Sequence, residues 1–391
     1  MGLNIGKLNI TTGTASNMVS GPITVPTFTT ATRPGTPSTG QMIFNSTDKI
    51  VEVYSGSAWT PLGTSGQFET WTDGTRPGSP ATGLIGWNTT TEEVQVYDGT
   101  EWKVFAGVSG LQATGGNSTV TTGGYRYHVF TSNGTFTITA GTGNIEYVIV
   151  AGGGGGGGGD VGGGGGAGGF RTNAPGATSG GNSSNEPVMS ISAGSYNIVV
   201  GNGGAGSNSS SSRADDGTDS SFNGIVSIGG GGGASWGSGT GRSGGSGGGA
   251  TANGSPGAGT TGQGFGGGTG RSSPNYCEGG GGGAGEKGED APSYNVAGDG
   301  GDGLPNPFGA ATQIGDLDGG TYWLAGGGGG GVESSGQVGD GGKGGGGIGG
   351  RQSPNTNPGN GDANTGGGGG GEDSGQGGNG GSGVVIIRYA I

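Results

Sequence analysis

The chain has 391 residues, of which 115 are glycine, 27% are hydrophobic and only 10% are charged. So few apolar side chains exclude a conventional close-packed core for a chain of this length, and so few charges exclude the disorder typical of highly charged chains. The 14 Lys and Arg residues against 27 Asp and Glu give a net charge of −13, which is the opposite of what a nucleic-acid-binding protein needs.

The N-terminal segment, residues 1–32, carries no basic stretch followed by an apolar one. No part of the sequence approaches the roughly 20 apolar residues of a membrane span. We therefore expect a protein made in the cytoplasm without a signal peptide and without membrane insertion. The single cysteine, Cys277, excludes an internal disulfide.

An internal repeat follows. RPGTPSTGQMIFNSTDKIVEVYSGSAWTPL begins at Arg33, and RPGSPATGLIGWNTTTEEVQVYDGTEWKVF begins at Arg76. The Val-x-Val-Tyr alternation and the Ser-Gly or Asp-Gly pair predict a strand, a turn and a returning strand in each copy. We assign β repeats to residues 33–63 and 76–107, each too small to be stable alone.

Residues 108–122 are predicted to be a linker, and residues 123–391 a glycine-rich domain. Strand patterns cover residues 125–131 and 135–139, with Asn133-Gly134 as a hairpin turn between them. The apolar run 145–150 predicts a strand covered on both faces. Further strands are predicted at residues 196–200, 225–228 and 384–389. The most apolar strands thus open and close this domain, and we expect them to form one sheet. No helix is predicted.

Glycine runs fill the space between those strands, at residues 152–159, 162–166, 229–233, 279–283, 326–331, 344–347 and 366–371. Flexible linkers are the usual interpretation of such runs. Flanking apolar strands and recurring aromatic residues favour packed polyglycine helices of the polyproline II type instead, and uninterrupted glycine excludes collagen. Gly155 and Gly328 are structural in this interpretation, because a side chain inside a run would separate neighbouring helices.

The sequence contains few residues that could take part in catalysis. His128 lies in a strand pattern and is interpreted as structural, Cys277 has no basic partner nearby, and the GxGxxG matches are expected by chance at this glycine content. Acidic pairs at Asp215-Asp216, Asp316/Asp318 and Glu372-Asp373 are interpreted as solvated loops rather than calcium sites. We predict no enzyme activity, no metal and no cofactor.

Binding residues are expected in the segments between the glycine runs, since glycine itself exposes no side chain. Aromatic rings and arginines offer large contact areas there. The alternative role for each of these residues is to cover the edges of the packed polyglycine helices. The candidate receptor contacts are Phe170, Arg171, Trp236, Arg242, Tyr276, Tyr294, Phe308, Tyr322, Trp323 and Arg351.

The alternation of polyglycine runs with variable segments resembles the fibre-tip adhesins of T-even-type phages, which contain a polyglycine II sandwich. HVFTSNGTFTI, IEYVIVAGGGGGGGG and GGSGVVIIRYAI are similar to glycine-rich domains of phage tail and fibre proteins, and the paired repeats resemble those of fibre shafts. A more distant likeness is to the glycine-rich extracellular domain of certain receptor tyrosine kinases.

The resemblance implies an all-β fold of short hairpin repeats, followed by strands that enclose packed polyglycine II helices. It also implies a virion protein, a tail fibre or fibre-tip adhesin, that attaches to other virion proteins through residues 1–32 and binds a host-cell receptor. By analogy with fibre shafts we expect a homotrimer, with Trp59 and Trp102 packing between chains. A capsid-attached fibre or decoration protein, and a cell-surface or matrix adhesion protein, are the alternatives.

Overall fold

The computed structural model describes residues 27–37, 41–48, 50–54, 56–61, 69–80, 84–90, 93–97, 100–104, 111–272, 275–352 and 355–391. The chain divides into two compact units, Met1–Ser109 and Gly110–Ile391. Antiparallel sheets dominate both units, which confirms the all-β fold class.

The first unit contains two copies of one four-stranded sheet. In each copy a short first strand pairs parallel to the second, and the second, third and fourth strands pair antiparallel in order. The strands are β1 (Thr27–Phe28), β2 (Met42–Asn45), β3 (Ile50–Tyr54), β4 (Trp59–Pro61), β5 (Glu69–Trp71), β6 (Ile85–Asn88), β7 (Glu93–Tyr97) and β8 (Trp102–Val104). The two predicted strands are therefore present in both copies, whereas Ser55, Asp98 and Gly99 of the predicted turns lie outside the described residues.

Each repeat begins earlier than the sequence pattern indicated. Strands β1 and β5 lie upstream of Arg33 and Arg76, and Thr27 pairs with Phe44 as Thr70 pairs with Trp87. Residues 27–32 consequently belong to the first repeat rather than to the attachment segment 1–32. Residues 1–26 of that segment lie outside the described part of the chain.

A buried asparagine organises each repeat. Asn45 donates to Asp48 at 2.7 Å and to the buried Glu52 at 3.2 Å, and Arg33 pairs with Glu52. The second copy replaces that carboxylate by the amide of Gln95, to which Asn88 donates at 3.2 Å. Its compensating carboxylate is Asp73, which accepts from Asn88 at 2.7 Å and pairs with Arg76. The arginine of each repeat is thus paired with a carboxylate. That carboxylate lies on β3 in the first repeat, at Glu52, and just after β5 in the second, at Asp73.

The second unit holds the remaining strands and the glycine runs. The strands are β9 (Gln112–Thr114), β10 (Ser118–Thr122), β11 (Tyr125–Phe130), β12 (Gly134–Ala140), β13 (Gly143–Val150), β14 (Phe170–Thr172), β15 (Thr178–Ser179), β16 (Ser183–Ser184), β17 (Met189–Ile191), β18 (Gly194–Val199), β19 (Ser220–Phe222), β20 (Ile225–Ser227), β21 (Leu304–Pro305), β22 (Asp316–Asp318), β23 (Thr321–Leu324) and β24 (Val384–Ala390).

The two ends of this unit meet in one sheet, as predicted. The C-terminal strand β24 lies between β11 and β13 and pairs antiparallel with both over most of its length. Val148, Ile149 and Val150 of β13 are fully buried, which confirms a strand covered on both faces. The pairing closes the glycine-rich domain between the most apolar segments of the chain.

The predicted hairpin at Asn133-Gly134 is wrong. Strands β11 and β12 exist, but β11 pairs with β10 and β24, whereas β12 pairs with β18 and β9 in a second sheet. The two sheets face each other across a core that contains Phe130, Phe136 and Ile387. Pairing β11 with the apolar β24 gives the chain this two-sheet core, which a local hairpin would not supply.

The predicted linker is also wrong for residues 111–122. Leu111 is buried in the two-sheet core, β9 extends the sheet of β12, and β10 pairs with β11. The sequence offered only Thr, Gly and Ser at most of these positions, so their strands depend on the neighbours to which they bond.

Helical structure in the described residues is limited to two single turns, a 3-10 turn at Thr30–Thr32 and an α-helical turn at Gly309–Thr312, neither of which the sequence indicated. No helix in this part of the chain is long and apolar enough to cross a membrane.

Candidate functional site

The longest glycine run, residues 152–159, forms a polyglycine helix in which every N–H and C=O group of residues 152–157 is hydrogen-bonded. Its N–H groups donate to three neighbouring segments in turn, so that each neighbouring segment accepts from every third residue of the run. The donor–acceptor distances are 2.8 to 3.1 Å. The donor–acceptor pairs are Gly152–Thr218, Gly155–Asp215, Gly153–Gly381, Gly156–Gly378, Gly154–Gly166 and Gly157–Gly163. Three residues per turn and no hydrogen bonds within the segment define the polyproline II helix.

The carbonyl groups of the same run bond to three further segments. They accept at 2.8 to 3.0 Å with the same period of three. Gly230 and Gly233 donate to Gly152 and Gly155, Gly204 and Ser207 to Gly153 and Gly156, and Gly369 and Glu372 to Gly154 and Gly157. Each run is thus one member of a lattice in which backbone groups satisfy one another.

The lattice has no room for side chains at its glycines. A methyl group at Gly155 would lie 2.2 Å from the carbonyl oxygen of Ala205, and one at Gly328 would lie 2.1 Å from that of Gly369. These distances are well below van der Waals contact. The close approach supports the structural role predicted for both glycines.

Aspartates cap the solvent-facing edges of the lattice. Asp216 and Asp219 accept from the amides of Gly232 and Gly229 at 2.9 and 2.8 Å. Other edges repeat the arrangement, with Asp290 accepting from Thr269, Asp299 from Asp340 and Asp302 from Lys343. Spacing of three residues between capping aspartates follows from the threefold helix, which returns the same face to solvent every turn. Part of the negative charge of the chain is therefore structural.

Loops gather at the end of the lattice opposite the sheets, and we call this end the tip. Each loop connects a segment that runs away from the sheets to a segment that runs back towards them. The tip loops are residues 159–161, 207–213, 235–240, 251–256, 270–272, 275–277, 293–296, 332–338, 351–352, 355–356 and 372–376. Bonds link neighbouring loops, such as Gly237 to Ser210, Glu333 to Tyr276 and Gln352 to Asp373. The lattice therefore presents loops from distant parts of the sequence on one surface.

Four of the predicted contact residues lie at the tip. The rings of Trp236 and Tyr276 meet edge to face, with centroids 4.5 Å apart, and both are half-buried. Tyr294 is 47% exposed. Arg351 is half-buried and donates to the carbonyl of Gly336 at 2.6 Å.

The other candidates lie away from the tip. Arg242 sits on a lattice flank, paired with Asp216 at 3.4 Å. Arg171 lies in β14 at the sheet end, paired with Glu186. Tyr322 and Trp323 lie in β23, a strand of the segment 304–325, and both are half-buried. The ammonium of Lys343 lies 5.3 Å from the Trp323 ring centroid.

Phe170 and Phe308 require a correction. Phe170 is 0% exposed and Phe308 1% exposed, and both pack in the core beneath the sheet of β24. A fully buried ring has no surface to offer a receptor, so these two residues are core residues. The sequence could not separate them from Tyr294, because all three are isolated aromatics between polar and glycine-rich segments.

The tryptophans of the repeats pack within their own repeat. Trp59 lies 5.5 Å from Tyr54, and Trp102 lies 4.6 Å from Trp71 and 5.5 Å from Tyr97, measured between ring centroids. Trp59 and Trp102 nevertheless remain half-buried, so part of each ring is accessible in the isolated chain.

A groove at the edge of the tip was missed by sequence reasoning. It has a volume of about 280 Å³ and lies between residues 355–360 and 372–379. Five carboxamide side chains line it, namely Asn355, Asn357, Asn360, Gln376 and Asn379. The signal in the sequence is asparagine or glutamine in QSPNTNPGN and SGQGGN, at places where other lattice segments carry aspartate.

Desolvation raises the pKa of several buried titratable groups near the tip. Burial raises the pKa of Glu278 well above its usual value, against a smaller lowering effect of the backbone N–H of Ala252. Burial likewise raises the pKa of the Cys277 thiol to about 11, and it raises the pKa of Glu372 and Asp373. The described residues contain no group of three or more His, Cys, Asp or Glu side chains placed to hold a metal ion.

His128 lies in the two-sheet core and not at the tip. It is fully buried, with Nδ1 at 2.7 Å from the carbonyl oxygen of Gly115 and Nε2 at 3.4 Å from the hydroxyl of Tyr389. Burial lowers its pKa. This environment holds a neutral imidazole that bridges β11 to its neighbours.

Comparison with known proteins agrees with this architecture. No curated protein matches the chain. The family model described as a glycine-rich domain matches residues 129–390, from the last two residues of β11 to the end of β24. The chain therefore belongs to the glycine-rich domain family.

Proposed function

We propose that the protein is a phage virion adhesin, a tail fibre or fibre-tip protein, which binds a host-cell surface receptor without covalent chemistry and without a cofactor. The observation that carries the proposal is the gathering of the loops at the tip of a scaffold bonded almost entirely through its backbone. The resemblance of the glycine runs and repeats to phage fibre proteins supports the virion assignment.

The lattice suits an adhesin because it separates folding from recognition. Its stability comes from backbone bonds between glycines, so substitutions in the tip loops leave those bonds in place. Loops from widely separated parts of the sequence then form one contact surface. Trp236, Tyr276 and Tyr294 supply aromatic area within it.

We also propose that residues 1–26 attach the chain to other virion proteins and that the protein assembles as a homotrimer. The small sheets of the repeats and the half-buried Trp59 and Trp102 support assembly, because further burial of these rings between chains would add apolar contact area. Light scattering of the full chain tests this, and a monomer mass at micromolar concentration would contradict it.

The binding experiment compares the tip with the sheet end. Fluorescently labelled full chain is added to a panel of bacterial cells, and the double variant Trp236→Ala/Tyr294→Ala is compared with Trp323→Ala as a control on β23. We expect the tip variant to lose most adsorption and the control to keep it. Equal adsorption by both variants would contradict a contact surface at the tip.

Immunogold labelling of virions tests location. Label at the fibre ends is expected. Label on the capsid would favour the capsid-fibre alternative, and virions without label would refute a virion role.

A further inference from the structure

The carboxamide groove at the tip differs from every other capped edge described above. At five other edges the acceptor that satisfies an edge amide is an aspartate, and at others it is a serine or threonine hydroxyl. At the groove, Asn379 Oδ1 accepts from the amide of Gly206 at 2.9 Å, and Asn360 Oδ1 accepts from the amide of Asn379 at 2.8 Å. The lattice needs only the oxygen, which aspartate would provide equally well.

Asparagine at these positions therefore adds side-chain N–H donors that the lattice does not use. Each carboxamide carries two N–H donors, and those of Asn360 and Asn379 have no protein partner among the described residues. Gln376 is attached the other way, donating to the carbonyl of Gly206 at 3.3 Å, so its side-chain oxygen remains an acceptor. All three residues are exposed. The groove thus offers fixed donors beside an acceptor.

The chemistry of the lining selects the class of ligand. No lysine or arginine lines the groove, and Glu372 does, so an anion finds no counter-charge. Pro358 is its single bulky apolar residue, so an aromatic or aliphatic anchor of a protein partner finds no pocket. A neutral molecule rich in hydroxyl groups fits, because a hydroxyl both donates to and accepts from a carboxamide.

We propose that this groove binds a neutral saccharide of a cell-surface glycan. The inference rests on the proposed adhesin function and names the chemistry of its receptor. A volume of about 280 Å³ is close to the lower end of small-molecule pockets, roughly 300 Å³. The groove therefore holds a short part of the glycan, with the rest outside.

The test uses the full chain on an array of neutral oligosaccharides of glucose, galactose and N-acetylglucosamine, with sialylated and uronic-acid oligosaccharides and immobilised peptides for comparison. The double variant Asn360→Asp/Asn379→Asp keeps both capping oxygens and removes the four N–H donors. The matched control, Asp216→Asn/Asp219→Asn, makes the opposite exchange on a flank. Thermal melting verifies that both variants fold.

Binding to at least one neutral oligosaccharide is expected. We expect it to be weakened at least tenfold in the groove variant and to stay within twofold in the flank variant, as measured by titration calorimetry. Binding only to anionic glycans or peptides, no binding at all, or equal binding by the groove variant would each overturn the inference. If the chain adsorbs to cells but binds no neutral oligosaccharide, the saccharide inference fails while the adhesin function stands. A chain that adsorbs to no cell contradicts the adhesin function, and the array then decides on the groove alone.

Discussion

Substitution of Gly155 is the most direct test of the polyglycine lattice. An alanine methyl group there would lie 2.2 Å from the carbonyl oxygen of Ala205, whereas ordinary contacts begin near 3.4 Å. The neighbouring segment 204–207 would have to move away by about 1.2 Å. That segment donates from Gly204 and Ser207 to the run at 2.9 and 3.0 Å, and such a shift takes both bonds beyond hydrogen-bond distance.

The energetic cost follows from burial. The run is buried, so each broken bond leaves groups that water does not reach. Leaving buried backbone groups unsatisfied costs about 1–3 kcal/mol each, so two broken bonds, which leave four such groups, cost on the order of 4–12 kcal/mol. Global stabilities are about 5–15 kcal/mol, so Gly155→Ala should remove a large fraction of the stability, and Gly155→Leu should prevent folding.

Chemical and thermal unfolding of the full chain, followed by circular dichroism, measure the effect. Gly375 is the matched control, because it lies in a tip loop and accepts from Gly159, yet a methyl group there would lie 3.6 Å from its nearest neighbour, Cγ of Glu372. We expect Gly375→Ala to change stability by less than about 1 kcal/mol. If Gly155→Ala unfolds like Gly375→Ala, the lattice does not hold the domain together as described.

Three further predictions concern buried groups. Because burial raises the pKa of Glu278, its contribution to stability is greatest below its ordinary pKa near 4.5 and is lost as the pH rises through the folded-state value. Glu278→Gln should therefore raise Tm at pH 7 but not at pH 4. An equal change in Tm at both pH values would contradict this. The Cys277 thiol is fully buried with a pKa of about 11, so thiol reagents should label it only on unfolding, and rapid labelling of the native chain would refute the assignment. Arg388 pairs with Glu146, and its guanidinium lies 4.3 and 4.5 Å from the ring centroids of Tyr125 and Phe308. Arg388→Lys should therefore lower the free energy of unfolding by about 1–3 kcal/mol. An unchanged denaturation midpoint would show that these contacts do not stabilise the fold.

Local patterns predicted many of the strands. Alternating valines located β3 and β7, and apolar runs located β13 and β24, whose apolar side chains are buried. The hairpin at Asn133-Gly134 failed for the opposite reason. A good turn dipeptide specifies a local reversal, but the partner of β11 was decided by an apolar strand at the far end of the chain.

The candidate site was predictable only in kind. Loops between glycine runs had to carry any recognition, since glycine presents nothing to a ligand. Phe170 and Tyr294 looked equivalent in sequence, yet one lies beneath a sheet and the other at the tip. The carboxamide groove brings Asn360 and Gln376 together with Gly206, across more than 150 positions of sequence, and no spacing rule indicates that meeting.

From the sequence alone, glycine runs without side chains had to pack backbone against backbone, because buried N–H and C=O groups require partners. Only the tertiary structure decided which run lies beside which. Run 152–159 bonds to segments near residues 165, 205, 216, 231, 370 and 380. A glycine run carries no side chains to distinguish one neighbour from another, so the choice is made by the strands and loops that anchor the two ends of each run.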